Sequence, residues 1–578
     1  MRSFCTRREF LVGAASSGAA LAAESVSADA EPRGVELAPV SGADGVFERV
    51  SLDGRILYRA AETAPGAYAL YLYLRAPAGA PRRKGALYVE ATYKDVGVGA
   101  LALEYNAAGE SQAYQAATSY GAALRNTGEY RTAVFELRDA DLRGAQNLGA
   151  DMRLAAPGPG VRLHLVRATL YAEPTALTKQ RSSRPWLRPY AGPTRSDIDA
   201  TTLQGKVVCG YQGWFRCPGD EEDVGWVHWS RDRSRIAPET LTFEMWPDMS
   251  EYSRAERYPA PGFTYPDGSQ AELFSSANRR TVERHFDWMR RYGIDGVEVQ
   301  RFVLGLQDPA AASRVLAYCR DAANRTGRAL YVGYDLSGTA NDRAVDLLTR
   351  DWRWLVDEMK LTADPRYLHE RGKPVVQVFG FYPDRFGPEL ANRIIDVFQG
   401  RDRYAAYLIG SGPWNWLNNR EPGWDAVYRR FDGYKPWNVG NWTRRNGLAY
   451  AATDTWAEAL AETRRRGQTF LPVLYPGFSW DNLTRRAPGS SLIPRRGGEF
   501  LWDQFVQAKR LGVKAAFVAM FDEVDEGTAI FKVTNAAPVQ GRFVTFEDKP
   551  SDWYLRLVGE GTKMLRGERP PTERMPIS

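Results

Sequence analysis

Two rhythms of apolar and polar positions divide the chain. From residue 35 to 173 the rhythm has period two. Gly85-Ala86-Leu87-Tyr88-Val89-Glu90-Ala91-Thr92-Tyr93, Ala100-Leu101-Ala102-Leu103-Glu104-Tyr105, Thr132-Ala133-Val134-Phe135-Glu136-Leu137 and Val161-Arg162-Leu163-His164-Leu165 alternate, with Gly, Pro, Asn and Asp between the runs. Successive side chains of a strand face opposite ways, so short alternating runs predict half-buried antiparallel strands, and together an all-β sandwich. His164 is expected in the apolar phase of its run, as a core residue. Residues 174–200 turn to Pro, Arg, Ser and Thr (KQRSSRPWLRPYAGP) and read as a linker along the surface.

After residue 200 apolar β-rich runs recur, each followed by a loop and a helical pattern. They are Val207–Tyr211, Gly296–Gln300, Ala329–Tyr334, Pro374–Phe379, Ala405–Ile409, the short Gly433-Tyr434, Phe470–Tyr475 and Ala515–Phe521. Between them Arg280–Tyr292, Ala310–Thr326 and Trp456–Arg466 place apolar residues at helical spacing. Strands alternating with helices imply parallel pairing, and eight repeats imply an α/β domain, a (β/α)8 TIM-type barrel over 201–578. A doubly wound open sheet is the alternative, disfavoured because no Gly-rich phosphate loop follows the first strand.

Composition sharpens the division. The 578 residues are 44% hydrophobic and 25% charged, which excludes a disordered or fibrous chain. All 17 Trp lie at or after Trp186, so the two parts are built differently. The net charge of +6 is small and its basic residues are interspersed with acids, so no nucleic-acid partner is expected. No run is long enough to span a bilayer. Residues 1–30, with Arg7-Arg8, Phe10-Leu11, an Ala/Gly run and Ala28-Asp29-Ala30, resemble a twin-arginine export signal cleaved after Ala30. An exported protein, periplasmic or extracellular, is therefore expected. Of the cysteines beyond this segment, Cys209 and Cys217 could pair or remain buried thiols, and Cys319 is left over.

In a parallel barrel, chemistry sits in the loops that follow the strands. Those loops carry Tyr211, Gln212, Trp214, Trp226, His228 and Trp229 after strand one, Gln300 after strand two, and Tyr334 and Asp335 after strand three. Later loops carry Trp414, Trp437, Asn438, Tyr475 and Trp480. Aromatic faces interleaved with carboxylates and amides suit a saccharide, whose C–H faces stack on rings while its hydroxyls need donors and acceptors. Some of these rings are expected to cap the core instead. Glu298 and Gln300 share one phase of strand two, facing the lumen. His285 and His369 read as packing or surface residues.

The eighth run delivers Asp522-Glu523-Val524-Asp525-Glu526-Gly527-Thr528, four acids in five residues pinned to the barrel mouth. Crowded carboxylates repel, so at least one should hold a proton near neutral pH. A protonated acid beside an ionised carboxylate is what glycosidic cleavage requires. A cation site is the competing reading, but the alternating acids and central Gly of a calcium loop are absent. No metal or cofactor is expected.

The segment Glu523-Val524-Asp525-Glu526-Gly527-Thr528-Ala529-Ile530 resembles the Asn-Glu-Trp-His-Glu-Gly-Thr-Gln-Ile motif of glycoside hydrolase family 99, the endo-α-mannosidases. Gly225-Trp226-Val227-His228-Trp229 and Tyr211-Gln212-Gly213-Trp214 resemble first-loop aromatic motifs of that family and of family 71, over residues 203–565. The resemblance implies a barrel enzyme acting on α-linked glycans. It implies Glu526 as general acid/base and Glu523 as the carboxylate that helps deprotonate the sugar 2-hydroxyl, with retention through an epoxide-like intermediate. Asp525 stands where the motif has His, Val524 where it has Trp, and Val332–Ser337 where the family has His-Ile-Glu-Pro-Tyr. Asp335 is then the first alternative partner for Glu526. The expectation is a glycosidase of oligo- or polysaccharides. The competing classes are a non-catalytic glycan-binding barrel and a cation-dependent polysaccharide lyase or esterase.

Overall fold

The computed structural model describes residues 31–42, 45–61, 71–80, 86–108, 113–155 and 161–577. The expected export signal, residues 1–30, lies outside the described residues.

Alternation organises the N-terminal region. Along Leu87–Lys94 the side chains of Leu87, Val89, Ala91 and Tyr93 are buried, and those between them are half-buried. This strand pairs antiparallel with Tyr130–Leu137 on one side and His164–Tyr171 on the other, inside a seven-stranded sheet. Tyr71–Arg75, Met152–Ala155 and Ala102–Tyr105 pair within a second, five-stranded sheet. Leu72, Leu103 and Leu154 of the second sheet share one hydrophobic cluster with Val89, Phe135 and Leu170 of the first. Burying each such side chain stabilises by about 1.5–3 kcal/mol. His164 corrects the sequence expectation: Leu163 and Leu165 take the buried phase, and His164 between them is half-buried. Its Nδ1 lies 2.8 Å from the Arg162 carbonyl.

Residues 174–200 are more than a bare surface linker. Thr175 caps a helix at Ala176–Ser182, its hydroxyl accepting from the Thr178 N–H at 2.9 Å. Trp186 is buried, with the Arg314 guanidinium 3.8 Å above its ring.

The second, larger hydrophobic cluster belongs to a parallel sheet and its helices. Its strands are Val207–Tyr211 (one), Gly296–Phe302 (two), Ala329–Asp335 (three), Lys373–Phe379 (four), Tyr407–Pro413 (five) and Gly433–Trp437 (six). Strand seven comes in two pieces, Thr469–Phe470 and Val473–Leu474, and strand eight is Ala516–Val518. Strands one to six pair in sequence order, and strand one also pairs with strand eight. The first piece of strand seven pairs with strand six and the second with strand eight, so the sheet curls back on itself. The break falls at Leu471-Pro472, because proline has no N–H to give the ladder. Its carbonyl still accepts from Phe517 N–H at 3.0 Å. The arrangement is mixed α/β and consistent with a TIM-like barrel.

Helices cover the outer face as the periodicity predicts. Arg279–Tyr292 starts where the Asn278 side chain accepts from Arg280 N–H and stops at Gly293, whose positive φ of 76° a helix end requires. It buries Val282, Phe286 and Met289 along one stripe. His285, on the same stripe, is held between the hydroxyls of Tyr211 and Tyr252 at 2.9 and 2.8 Å. Cys209, Cys217 and Cys319 are buried free thiols, so the Cys209–Cys217 bridge is absent. No helix among the described residues is long and apolar enough to cross a membrane.

Candidate active site

The pleat of a strand sends every second side chain to the same face, and here that face meets in one cavity of ≈ 240 Å³ at the C-terminal ends of the parallel strands. Strand two contributes Glu298, Gln300 and Phe302, strand three and its loop Asp335 and Ser337, strand four Gln377 and Phe379, strand six Lys435 and Trp437. The loop after strand one adds Gln212 and Trp214, and the segment after strand eight adds Met520, Glu523 and Glu526.

The floor is an ion pair. Lys435 Nζ donates to both carboxylate oxygens of Glu298, at 2.7 and 2.8 Å, with both side chains buried. Gln300 Nε2 donates to Glu298 Oε1 at 2.7 Å, and Lys435 Nζ lies 3.8 Å from the centre of the Phe517 ring. Gly333 makes room for this pair: a Cβ there would stand 2.6 Å from Glu298 Oε1. Burial pushes the Lys435 ammonium down from its ordinary value, and the Glu298 carboxylate opposes that shift.

The acidic segment is a turn held at both ends. Thr528 and Ala529 N–H return to the Glu523 carbonyl at 3.1 and 2.9 Å. Arg495 Nη2 donates to the carbonyls of Gly527 and Ala529 at 2.7 and 2.8 Å, and Ser479 N–H donates to the Glu526 carbonyl at 2.9 Å. The turn sends its acids to different places. Asp522 is buried behind the cavity, accepting from the N–H groups of Gln212 and Gly213 at 2.8 and 2.9 Å, and so ties the loop after strand one to strand eight. Burial nevertheless pushes its carboxyl up to about 7. Asp525 is also buried, 2.8 Å from His228 Nδ1, and the His228 ring stacks on Trp214 at 3.8 Å and 5°. This pair backs the Trp214 face of the cavity.

Glu523 and Glu526 open into the cavity. Burial, then the charges of Glu526 and Asp525, raise Glu523 well above the ordinary carboxyl range, while a hydrogen bond from the Gln212 side chain opposes the shift. Thr528 Oγ1 donates to Glu523 Oε2 at 3.3 Å. Glu526 is raised to about 7 by burial, then by Asp525 and Asp335. Asp335 is itself raised by burial, against the Ser337 N–H that donates to its Oδ1 at 2.6 Å. Two carboxyls therefore share an aromatic-walled space in which one can carry a proton near neutral pH.

The chain is similar in fold to a GH99 endo-α-mannosidase. That enzyme, from Bacteroides thetaiotaomicron, matches at a TM-score of 0.50 and 14% identity, over 63% of this chain and 99% of its own. A second structure of the endo-α-mannosidase, in complex with Bis-Tris-propane, gives 0.49 and 15% over 64% and 99%. A family 5 glycoside hydrolase from Bacteroides vulgatus gives 0.33 and 11% over 56% and 71%. No protein-family model matches the chain, and no curated protein matches its sequence. At these identities the endo-α-mannosidase likeness speaks for the fold.

Of the residues singled out from sequence, the cavity brings together Gln212, Trp214, Glu298, Gln300, Asp335, Trp437, Glu523 and Glu526. Five others are corrected to core residues. Tyr211 and Tyr334 take the opposite phase of their strands and are fully buried, Tyr211 against His285 and Tyr334 with its hydroxyl 2.7 Å from Asp351. Trp226 and Trp229 are buried, and Trp229 Nε1 donates to the Phe274 carbonyl at 3.1 Å. Tyr475 is buried, donating to the Asn441 carbonyl at 2.6 Å. Trp414 and Trp480 are half-buried outside the cavity, Trp480 edge-on to Phe478 at 5.3 Å, and Asn438 is buried and does not line the cavity. His228, Asp522 and Asp525 support the wall rather than form it. Phe302, Gln377, Phe379 and Lys435 were not among the expected contacts. Their signal is the period-two phase that already pointed to Gln300. Among the described residues no three His, Cys, Asp or Glu side chains converge as a metal site.

Proposed function

We propose that the chain is an exported glycoside hydrolase of α-linked glycans. Its parts would be an export signal at 1–30, a β-sandwich at 35–173, a linker at 174–200 and a (β/α)8 catalytic barrel at 201–578. The shared cluster between the two N-terminal antiparallel sheets supports the sandwich, and the return of strand seven to strand eight supports barrel closure.

The observation that carries the activity is that Glu523 and Glu526 line one aromatic cavity and hold a proton between them, which the reaction needs on Glu526 and off Glu523. Glu526 gives its proton to the glycosidic oxygen as the C1–O bond breaks. The sugar 2-hydroxyl loses its proton to Glu523 while its oxygen bonds to C1. Water then attacks C1 and passes a proton to Glu526, and the C1–O2 bond opens as O2 recovers its proton from Glu523. The anomeric configuration is retained. Trp214 and Trp437 would stack on the ring, and Gln212, Gln300 and Asp335 would hold its hydroxyls. The similar fold of an endo-α-mannosidase makes α-mannosides the first glycans to try.

The test is depletion of a panel of α-linked glycans with product analysis. Wild type is expected to release reducing ends, and Glu526→Gln to lose that activity by about 10²–10⁴-fold while melting as a folded protein. A fully active Glu526→Gln rejects the assignment. Glycan affinity without cleavage at any pH would indicate a glycan-binding barrel, and inactivation by a chelator a cation-dependent lyase or esterase.

A further inference from the structure

Gln377 reaches the cavity floor from strand four, and its amide is unclaimed. The side chain is fully buried, it lines the cavity, and neither Oε1 nor Nε2 has a hydrogen-bond partner among the described residues. A buried amide left unpaired destabilises a fold, so one that faces a cavity points to a partner arriving from outside.

Its neighbours narrow that partner. Lys435 is committed to Glu298 by two hydrogen bonds, and Gln300 by one. Glu298, Asp335, Glu523 and Glu526 all line the cavity, and Lys435 is the one cation among the lining residues. Arg385 acts on Asp335 but does not line the cavity. A carboxylate or sulfate on the ligand would enter among carboxyls with no cation left to pair it. The volume, ≈ 240 Å³, falls below the roughly 300–1,000 Å³ of pockets for drug-sized ligands and suits a single sugar ring. A primary amide presents a donor and an acceptor side by side in one plane. Two adjacent ring hydroxyls match it, one donating to Oε1 and the other accepting from Nε2.

We propose that Gln377 is a specificity-determining residue that takes two neighbouring hydroxyls of one uncharged hexose ring, and that this cavity rejects uronates and sulfated sugars. The proposal rests on reading the cavity as a saccharide site and does not require bond cleavage.

Calorimetric titration of the whole protein with D-mannose, D-glucose and D-galactose, their 2-, 3- and 4-deoxy forms, and D-glucuronate tests it. At least one neutral hexose should bind wild type, and removing either of two adjacent hydroxyls should weaken it about tenfold. In Gln377→Leu the parent hexose should fall to the level of its deoxy form, with no further loss on deoxygenation. D-glucuronate should bind neither protein. The sugar-free variant should melt at or above the wild-type temperature, because an unpaired amide has been removed; a structural hydrogen bond would give the reverse. Undiminished discrimination between hexose and deoxy form in Gln377→Leu, a lower melting temperature without sugar, measurable binding of D-glucuronate, or no hexose binding to wild type would each overturn the proposal. Gln377-dependent hexose binding in a protein that cleaves no glycan would sink the glycosidase and leave this assignment standing. Cleavage with discrimination unchanged in Gln377→Leu would do the opposite.

Discussion

Glu298 and Lys435 meet at the buried floor of the cavity, where removing two charges from water is costly unless each satisfies the other. Their bond is doubled, Gln300 adds a third contact, and Gly333 gives up its side chain to admit them. Deleting one partner strands a buried charge. Lys435→Met is expected to cost about 3–5 kcal/mol in denaturant unfolding, and Lys435→Met with Glu298→Leu to recover most of it. Costs that simply add in the double variant would contradict this account of the floor. Both residues could be read from the sequence, since charged side chains in the lumen phase of otherwise apolar strands have few other reasons to be there. Gln377 could be read by the same alternation. Its lack of a partner could not, because that depends on what strands two and six place around it.

At the scale of elements, strands and helices were largely legible and loops were not. Period-two and period-3.6 patterns placed the eight parallel strands and the helix at Arg279–Tyr292 within a few residues. They also carried the information that Tyr211 and Tyr334 face away from the lumen, which an inventory of strand ends alone overlooks. Loops have no period. Trp226 and Trp229 stand in the same aromatic motif as His228, yet the loop folds both rings into the core, Trp229 against Phe215 and Phe274. The acidic turn was recognisable because it follows Phe517–Phe521 directly. What orients it comes from elsewhere in the chain: Ser479 and Arg495 from beyond strand seven, and His228 from beyond strand one. Those contacts separate the two acids that open into the cavity from the two that brace its wall, and no local pattern contains them.

For the whole molecule, the small net charge of +6 conceals a strongly acidic interior at the end of the sheet. Glu526 is raised to about 7 from an ordinary 4.5, so the folded protein holds that proton more tightly than the unfolded chain. Its contribution to stability is fully present below about pH 4.5 and is lost as the pH climbs through about 7. Glu526→Gln, which cannot ionise, should therefore gain stability relative to wild type at pH 8 by as much as about 3 kcal/mol, and little at pH 4. Denaturant midpoints at the two pH values check this; an equal effect at both would contradict it. In the proposed mechanism the same carboxyl protonates the departing sugar, so the pH dependence of stability and that of cleavage would share one group.

The central claim is that Glu526 donates that proton, and leaving-group dependence tests it most directly. Cleavage by wild type and Glu526→Gln would be compared on a natural α-linked glycan and on the same glycone carrying a 2,4-dinitrophenyl leaving group, which departs without protonation. A general acid predicts a loss of about 10²–10⁴-fold in kcat/KM on the glycan and little loss in kcat/KM on the aryl glycoside, whose turnover then waits on the water step that Glu526 also assists. Equal losses on both substrates, or none on either, would contradict it.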